Sequence, residues 1–170
     1  YAAVIHASPG AVYSALKESD INASTVVRTL FALRGLPALF SREKEFRRKK
    51  LTIQDIARSG FMLLSEKPDE EIVIGVVGKF WRLSGNICKT VTPEHFADFN
   101  DPDFAKAAWN FFIKTNGNGS VELSTETRIH CNDLESKKKF KRYWRLIGPF
   151  SGLIRKEMLK IVKRNSENKL

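Results

Sequence analysis

The fold is decided by one long stretch near the end of the chain, Asp133–Arg164, which reads DLESKKKFKRYWRLIGPFSGLIRKEMLKIVKR. Asp133 is a typical N-cap residue, and Glu135 follows in the first turn, where a carboxylate is favoured. Apolar side chains recur at spacings of three and four residues, which places them on one face of a helix. They are Phe140, Tyr143, Trp144, Ile147, Phe150, Ile154, Met158, Ile161 and Val162. The opposite face is rich in Lys and Arg, so the stretch predicts an amphipathic helix laid across a sheet.

The residues before this helix are predicted to supply the sheet. The predicted strands are Phe61–Glu66, Glu71–Trp81, Asn86–Thr92, Ala105–Lys114 and Val121–Cys131, with a turn at 67–69 and a helical turn or loop at Pro93–Asp98. Gly75 and Gly78 lie inside the second of these strands, where glycine is typical of a bulge or of a bend that curves the sheet. We therefore expect a curved antiparallel sheet.

The clearest pair of strands is joined by Asn116-Gly117-Asn118-Gly119, a strong hairpin signal. The apolar residues of both strands occupy odd positions, and residues directly opposite each other share a face. Odd positions must therefore pair with odd positions. This pairing requires an odd number of loop residues, so we predict a loop of three or five residues with a glycine in the left-handed conformation.

The beginning of the chain predicts a strand followed by short helices. Tyr1–Ala7 is the predicted strand, and Ser8 before Pro9 is a strong helix start. A second helix is predicted from Ser24 or Thr25, closed by Gly35 and Pro37. After a charged linker at Phe40–Lys50, Leu51–Ser59 is a predicted short helix with Thr52 as its N-cap. With 170 residues, the chain fits a single α+β domain over residues 1–170.

The composition limits the class of protein and its partners. The fractions of 42% apolar and 28% charged residues are typical of a globular domain, and no apolar run is long enough to span a membrane. No signal peptide is visible, although removal of a leader before Tyr1 stays open. Cys88 and Cys131 are too few for a disulfide framework, which favours a reducing, cytoplasmic setting. The net charge of +10 indicates either solvated surfaces or binding of nucleic acid or an anionic membrane.

Several short segments resemble the START-like superfamily, the helix-grip fold of polyketide cyclases, plant pollen-allergen-type proteins and lipid-transfer domains. The segments are Ile5–Pro9 with Val12-Tyr13, Val76–Trp81, Lys106–Phe111, Leu123–Arg128 and Tyr143–Gly152. They are most similar to a bacterial branch of that superfamily. The resemblance implies a curved antiparallel sheet that grips the last helix around an apolar cavity. It implies no single activity, because members bind lipids, hormones or polyketides and some are enzymes.

A small hydrophobic ligand, such as a lipid or an aromatic or polyketide-like molecule, is therefore the leading expectation. Aromatic side chains supply apolar wall area at a low cost in side-chain entropy. The predicted ligand-binding residues are Phe80, Trp109, Phe111, Leu123, Thr125, Thr127, Tyr143, Trp144 and Ile147, with Trp81 and Phe150 as further aromatic candidates. The same residues would also be present in a core that is simply filled.

Two other classes of function stay open. A cyclase- or dehydratase-type enzyme would need polar groups inside the cavity, for which the candidates are Asn110, Thr125, Thr127 and Tyr143. A basic adaptor would bind nucleic acid or an anionic membrane through Arg42–Lys50 and the cations of the last helix. No catalytic residue, metal ligand or cofactor motif is visible, and the three histidines (His6, His95 and His130) are scattered.

Two local features have alternative interpretations. Glu126 and Arg128 occupy even positions, which predicts an exposed charge pair; if the facing were inverted, they would lie inside the cavity. Gly148-Pro149 interrupts the last helix and predicts a kink or a break there. A static bend around the sheet is favoured over a hinge that opens the cavity.

Overall fold

The structure is a computed structural model that describes residues 1–21, 24, 52–58, 60–82 and 87–168. Within these ranges the chain has an α+β architecture, a five-stranded antiparallel sheet and a long C-terminal helix. Its elements are β1 (Ala2–Ile5), α1 (Pro9–Glu18), α2 (Ile53–Arg58), β2 (Met62–Lys67), β3 (Glu71–Gly78), β4 (Ala105–Thr115), β5 (Val121–Cys131) and α3 (Leu134–Glu167). The predicted second helix (24–37) and the charged linker (40–50) fall almost wholly outside the described residues.

The strand order is β1-β5-β4-β3-β2, so the first strand pairs with the last. In the hairpin between β4 and β5, Thr115 lies opposite Val121 and Trp109 opposite Thr127, so odd positions pair with odd positions. Residues 116–120 form a five-residue loop in which Gly119 has a φ of 75°, the left-handed conformation. The predicted register and loop are both confirmed.

The sheet is irregular at β2 and not at the glycines of β3. The register shifts between Leu63 and Ser65, which leaves Leu64 as the extra residue of a bulge. Gly75 makes room for this side chain, since a Cβ there would lie 2.6 Å from Leu64 Cδ1. The glycine therefore marks a close approach to a neighbouring bulge; of the two predicted alternatives, a bulge on the glycine strand itself is wrong, and the bend stays a prediction.

The predicted strand at Asn86–Thr92 is wrong over residues 87–92, and Asn86 lies outside the described residues. Ile87 makes only an isolated bridge to Gly78, with Cys88 N donating to Val77 O at 2.9 Å. Along that edge of β3, β2 already pairs with the residues up to Gly75. Only the last residues of β3 are left for pairing, and β3 itself ends at Gly78 rather than at Trp81. A 3-10 turn follows at Pro93–His95, within the predicted helical turn.

The helix starts follow the predicted caps. Ser8 Oγ accepts a hydrogen bond from Ala11 N at 3.2 Å, and Asp133 Oδ1 accepts one from Ser136 N at 2.8 Å. Thr52 Oγ1 likewise accepts from Asp55 N at 3.3 Å. Helix α3 runs unbroken through Pro149 over 34 residues, so the break is wrong. Its two ends are held by packing and ion pairs, which offsets the loss of one backbone hydrogen bond.

The main core lies between one face of the sheet and the helices α1 and α3. The odd positions of β4 and β5 face the helices, as predicted, and pack with the C-terminal half of α3. The cluster includes Phe111, Ile113, Leu123, Leu16, Ile154, Met158 and Val162. Even positions of β4 lie on the opposite face, where Lys106 Nζ donates to Ala97 O at 2.6 Å. The sheet therefore has one face that can take part in a site with α3.

Candidate functional site

The coverage of the sheet by α3 changes along the strands. On the helix-facing side, Phe111 and Leu123 have no exposed surface. Closer to the start of α3, four positions of the same two strands are only half-buried: Ala107, Trp109, Thr127 and Ile129. Residues on the central strands of a five-stranded sheet would be fully buried beneath a closely packed helix. The helix therefore covers these positions of β4 and β5 incompletely, although Ile74 and Val76 on the neighbouring β3 and Ala105 at the start of β4 are buried.

The two halves of α3 differ in the same way. The half after Pro149 contributes most of its buried residues, which are Gly152, Ile154, Met158, Leu159, Ile161, Val162 and Ser166. In the half before Pro149, Phe140 is buried, whereas Tyr143, Trp144 and Ile147 are half-buried. By helical spacing these residues share the side that carries Ile154 and Met158 into the core. The candidate site lies between this first half of α3 and the half-buried positions of β4 and β5.

Aromatic rings join the helix to the end of β3 at this site. The ring of Phe140 stacks on Trp144 with centroids 5.3 Å apart and lies 5.8 Å from Tyr143. Phe80, which follows β3, packs edge-on against Phe140 at 6.3 Å. Such contacts stabilise an aromatic cluster beyond the burial of its area. They fix one wall of the candidate site.

Trp109 forms part of the opposite wall and is held by Thr125. The indole Nε1 donates to Thr125 Oγ1 at 2.7 Å, and this hydroxyl donates in turn to Asn110 O at 2.8 Å. The Trp109 ring also contacts Phe111 at 4.9 Å between centroids. Thr125 is 2% exposed, and its hydroxyl is used both as donor and as acceptor. It orients the indole, and its single O–H donor is already used within the sheet.

The structure separates the predicted ligand-binding residues into two groups. Six are half-buried at the candidate site: Phe80, Trp109, Thr127, Tyr143, Trp144 and Ile147. Phe111, Leu123 and Thr125 are buried behind them and support the wall. Trp81 is half-buried and has the ammonium of Lys139 6.0 Å above its ring. Phe150 is 37% exposed, so only part of its side chain can contribute to the site.

The polar candidates for catalysis are reduced to two. Asn110 lies on the other face of the sheet, where its Nδ2 donates to Glu71 Oε1 at 3.0 Å and its Oδ1 accepts from Glu126 N at 3.0 Å. Its predicted place in the site is wrong because even positions of β4 face away from α3. Because the hydroxyl of Thr125 is engaged with Trp109, the remaining polar candidates are Thr127 and Tyr143.

Glu126 and Arg128 form the exposed pair that the facing predicts. Arg128 Nε donates to Glu126 Oε1 at 2.8 Å, and both side chains are exposed. The guanidinium lowers the pKa of the Glu126 carboxyl. The two charges therefore lie outside the candidate site. The three histidines are likewise exposed, each on a different segment.

An ionic cluster that the sequence does not reveal fixes the start of α3 beside the site. Asp103 accepts from Lys139 Nζ and Lys79 Nζ at 2.7 Å each, and its backbone N donates to Asp133 Oδ2 at 2.6 Å. These lysines lower the pKa of Asp103 to about 2. The N-cap interactions with Ser136 are the main reason that the pKa of Asp133 is also about 2. No spacing in the sequence relates these residues.

A second polar cluster ties α1 to β2. Tyr13 Oη donates a short hydrogen bond to Glu66 Oε1, which also accepts from Lys17 Nζ at 2.7 Å. Burial and the Glu66 carboxylate raise the pKa of Tyr13, and the two donors lower that of Glu66. A tyrosine whose pKa is raised is a poor general base at neutral pH. The cluster is suited to holding the two elements together.

The described ranges of the chain carry no metal site. No group of three or more His, Cys, Asp and Glu side chains there could hold a metal ion. Cys88 and Cys131 are free thiols. None of the described helices has the length and hydropathy of a membrane span. Comparison of the chain with models of protein families, with curated proteins and with solved structures gave no match.

Proposed function

We propose that this protein binds a small hydrophobic molecule, a lipid or an aromatic or polyketide-like compound, between its sheet and the first half of α3. The observation that carries the proposal is the half-burial of Ala107, Trp109, Thr127 and Ile129. These residues lie on central strands and face the helix, where a filled core would bury them. The residues opposite them on α3 are half-buried as well, so both walls have apolar area left for a ligand.

The nature of the walls favours an apolar ligand. The facing side chains are mostly aromatic and aliphatic, and the nearby charges of Lys79, Asp103 and Lys139 are paired with each other. Burial of apolar area contributes roughly 25 cal/mol per Å², so each 100 Å² of ligand surface would add about 2.5 kcal/mol. Tyr143 and Thr127 are the polar side chains that could orient a ligand. We propose binding rather than catalysis because these two residues alone carry no reaction.

The arrangement of the sheet and the last helix supports the fold class in this proposal. We propose that the chain is a helix-grip domain of the START-like type, acting in the cytoplasm. Its first strand pairs with its last, and a helix of 34 residues lies across the sheet. Fold alone does not select a ligand. The choice of a hydrophobic molecule rests on the residues of the two walls.

Substitution of two adjacent alanines tests the proposal. Ala107 faces α3, whereas Ala108 on the same strand faces the other side, and both are half-buried. In Ala107→Phe the new ring would fill the space between the walls. We expect binding of the neutral fluorescent probe N-phenyl-1-naphthylamine to weaken at least about tenfold, with the thermal midpoint kept. Ala108→Phe is the matched control and should bind the probe like the wild type.

Two results would contradict this proposal. One is a wild-type protein that does not bind the probe. The other is an Ala107→Phe protein that unfolds, because overpacking would mean that no space exists beside Ala107. Separately from these variants, native mass spectrometry of the purified protein, followed by extraction into organic solvent, would identify the class of any bound molecule.

A further inference from the structure

The outer side of α3 carries apolar residues that nothing in the described chain covers. Leu146 is 71% exposed, Leu153 46% and Phe150 37%. Pro149 is also exposed. Their spacing of i, i+3, i+4 and i+7 places the four residues on one side of the helix. We call Leu146, Pro149, Phe150 and Leu153 the outer stripe. Contiguous exposed apolar surface of this kind marks an interaction site.

The charges around the outer stripe are mostly positive; Glu157, four residues after Leu153, is an acidic neighbour on the same side and pairs with Lys160 at 2.7 Å. No acidic residue occurs from Ser136 to Lys156, a segment that contains eight cations: Lys137, Lys138, Lys139, Lys141, Arg142, Arg145, Arg155 and Lys156. Arg142 precedes Leu146 by four positions, and Lys156 follows Leu153 by three. Both therefore flank the stripe on the helix surface. A partner for this surface must carry negative charge next to apolar groups.

The cations at the stripe differ from those at the two ends of the helix. Lys138 pairs with Glu135 at 2.8 Å, and Lys160 pairs with Glu157 at 2.7 Å. In contrast, the structure gives Arg142, Arg145 and Lys156 no ion pair with any described residue, and all three are exposed, with Lys156 Nζ lying 5.1 Å above the ring of Tyr1. The unpaired cations and the exposed apolar residues therefore coincide over the same turns of α3.

We propose that the outer stripe, with Arg142, Arg145 and Lys156, docks on an anionic membrane surface. The helix would lie in the plane of the interface, with Leu146, Phe150 and Leu153 entering the boundary between headgroups and acyl chains. The cations would contact anionic lipid headgroups. Nucleic acid fits less well, because phosphate contacts need the cations but not three exposed apolar side chains. The inner side of the same turns carries Tyr143, Trp144 and Ile147 of the candidate site, but the docking does not depend on a ligand there.

Sedimentation with lipid vesicles tests the proposal on the full chain. The probe vesicles contain phosphatidylcholine and phosphatidylserine in a ratio of about three to one, and pure phosphatidylcholine vesicles are the comparison. We expect binding to the anionic vesicles at least about tenfold stronger than to the neutral ones, and weaker at high salt. Leu146→Gln/Leu153→Gln should reduce binding about tenfold at either salt concentration. Both residues are exposed, so the thermal midpoint should be kept.

A pair of charge variants separates local from global electrostatics. Arg142→Gln/Arg145→Gln removes two unpaired cations, whereas Lys138→Gln/Lys160→Gln removes two cations that are already paired. Both variants lower the net charge equally. We expect the first to lose most of the binding to anionic vesicles and the second to keep it. Equal losses in the two variants would overturn the proposal, as would equal binding to neutral vesicles. A third combination of results would also overturn the proposal. In it, an RNA or DNA oligonucleotide binds through Arg142 and Arg145, and the substitutions Leu146→Gln/Leu153→Gln leave vesicle binding unchanged.

Discussion

At the scale of single residues, the hydroxyl of Thr125 decides how Trp109 is presented at the candidate site. The hydroxyl accepts from the indole and donates to a backbone oxygen of the neighbouring strand, at 2.7 and 2.8 Å. A buried hydroxyl with both functions used is held in one rotamer, and it holds the indole in turn. Thr127, two residues along the same strand, is half-buried beside the same ring. The two threonines therefore offer a matched comparison.

We expect Thr125→Val to lower the free energy of unfolding by about 1–3 kcal/mol, because it keeps the shape but leaves the indole N–H without its acceptor. Thr127→Val should change it by less than about 0.5 kcal/mol. Urea denaturation followed by tryptophan fluorescence measures both. Equal effects of the two substitutions would show that the hydrogen bond does not hold Trp109.

The alternation of odd and even positions along the strands was enough to predict from the sequence which face of the sheet most of these residues occupy. Trp109, Phe111 and Thr125 all face the helices, as the odd-with-odd pairing predicts. The same rule places Asn110 on the other face, so its selection as a site residue conflicts with the pattern. The hydrogen bond from Trp109 to Thr125 was not predictable, because it depends on rotamers that the packing selects.

At the scale of elements, α3 is one helix with two environments, and Gly148-Pro149 lies between them. Both neighbouring segments are fixed, the first by aromatic contacts and Asp103 and the second by the core. Pro149 has no N–H to donate, so the carbonyl of Arg145, four residues earlier, loses its intrahelical donor. Both residues are exposed, so water can donate to this carbonyl instead. A continuous helix is therefore tolerated where the sequence alone left a kink or a break open.

We expect Pro149→Ala to raise the free energy of unfolding by about 1–2 kcal/mol, because it restores a backbone hydrogen bond in the helix interior. Gly148→Ala is the comparison at the adjacent residue. Its usual gain of about 1 kcal/mol should be lost, because the new Cβ would lie 3.1 Å from Trp144 Nε1. Chemical denaturation measures both values. A loss of stability in Pro149→Ala would show that the packing of α3 requires the bend that proline imposes.

Local signals predicted the elements well where a short motif determines them. The N-caps Ser8 and Asp133 and the Asn-Gly loop each act within a few residues, and all three are confirmed. The bulge at Leu64 and the absence of the predicted strand over residues 87–92 depend on which edge of β3 is still free. That information is a property of the assembled sheet, so a reading of separate segments does not contain it.

At the scale of the whole molecule, polar contacts between distant residues hold α3 in place across the sheet. Near its C-terminal end, Lys163 Nζ donates to Val4 O at 2.7 Å and Asn165 Nδ2 to Ser19 Oγ at 2.9 Å. Near its start, Asp103 joins Lys79, Lys139 and the N-cap Asp133. The sequence predicted a helix laid on a sheet, but these long-range partners have no signature in the spacing of residues. Among these contacts, those of Asp103 depend on an ionised carboxylate, so they should weaken in acid.

The contribution of Asp103 to stability should be lost in acid. Its pKa in the folded protein is about 2, below its ordinary value of 3.8, because Lys139 and Lys79 stabilise the carboxylate. Between these two values the unfolded chain binds more protons, so stability rises with pH there. The stabilisation is fully present above the ordinary value and disappears as the pH falls towards 2. We therefore expect Asp103→Asn to lower the thermal midpoint at neutral pH, with a difference from the wild type that shrinks in acid.

Thermal unfolding followed by circular dichroism from neutral pH down to about pH 2 measures this difference. Asp98→Asn is the control, since that exposed carboxyl makes no ion pair among the described residues, and it should follow the wild type throughout. A difference for Asp103→Asn that stays constant with pH would mean that its side chain acts by shape and not by charge. In that case the start of α3 would be fixed by the aromatic cluster around Phe140, and the candidate site would keep its walls in acid.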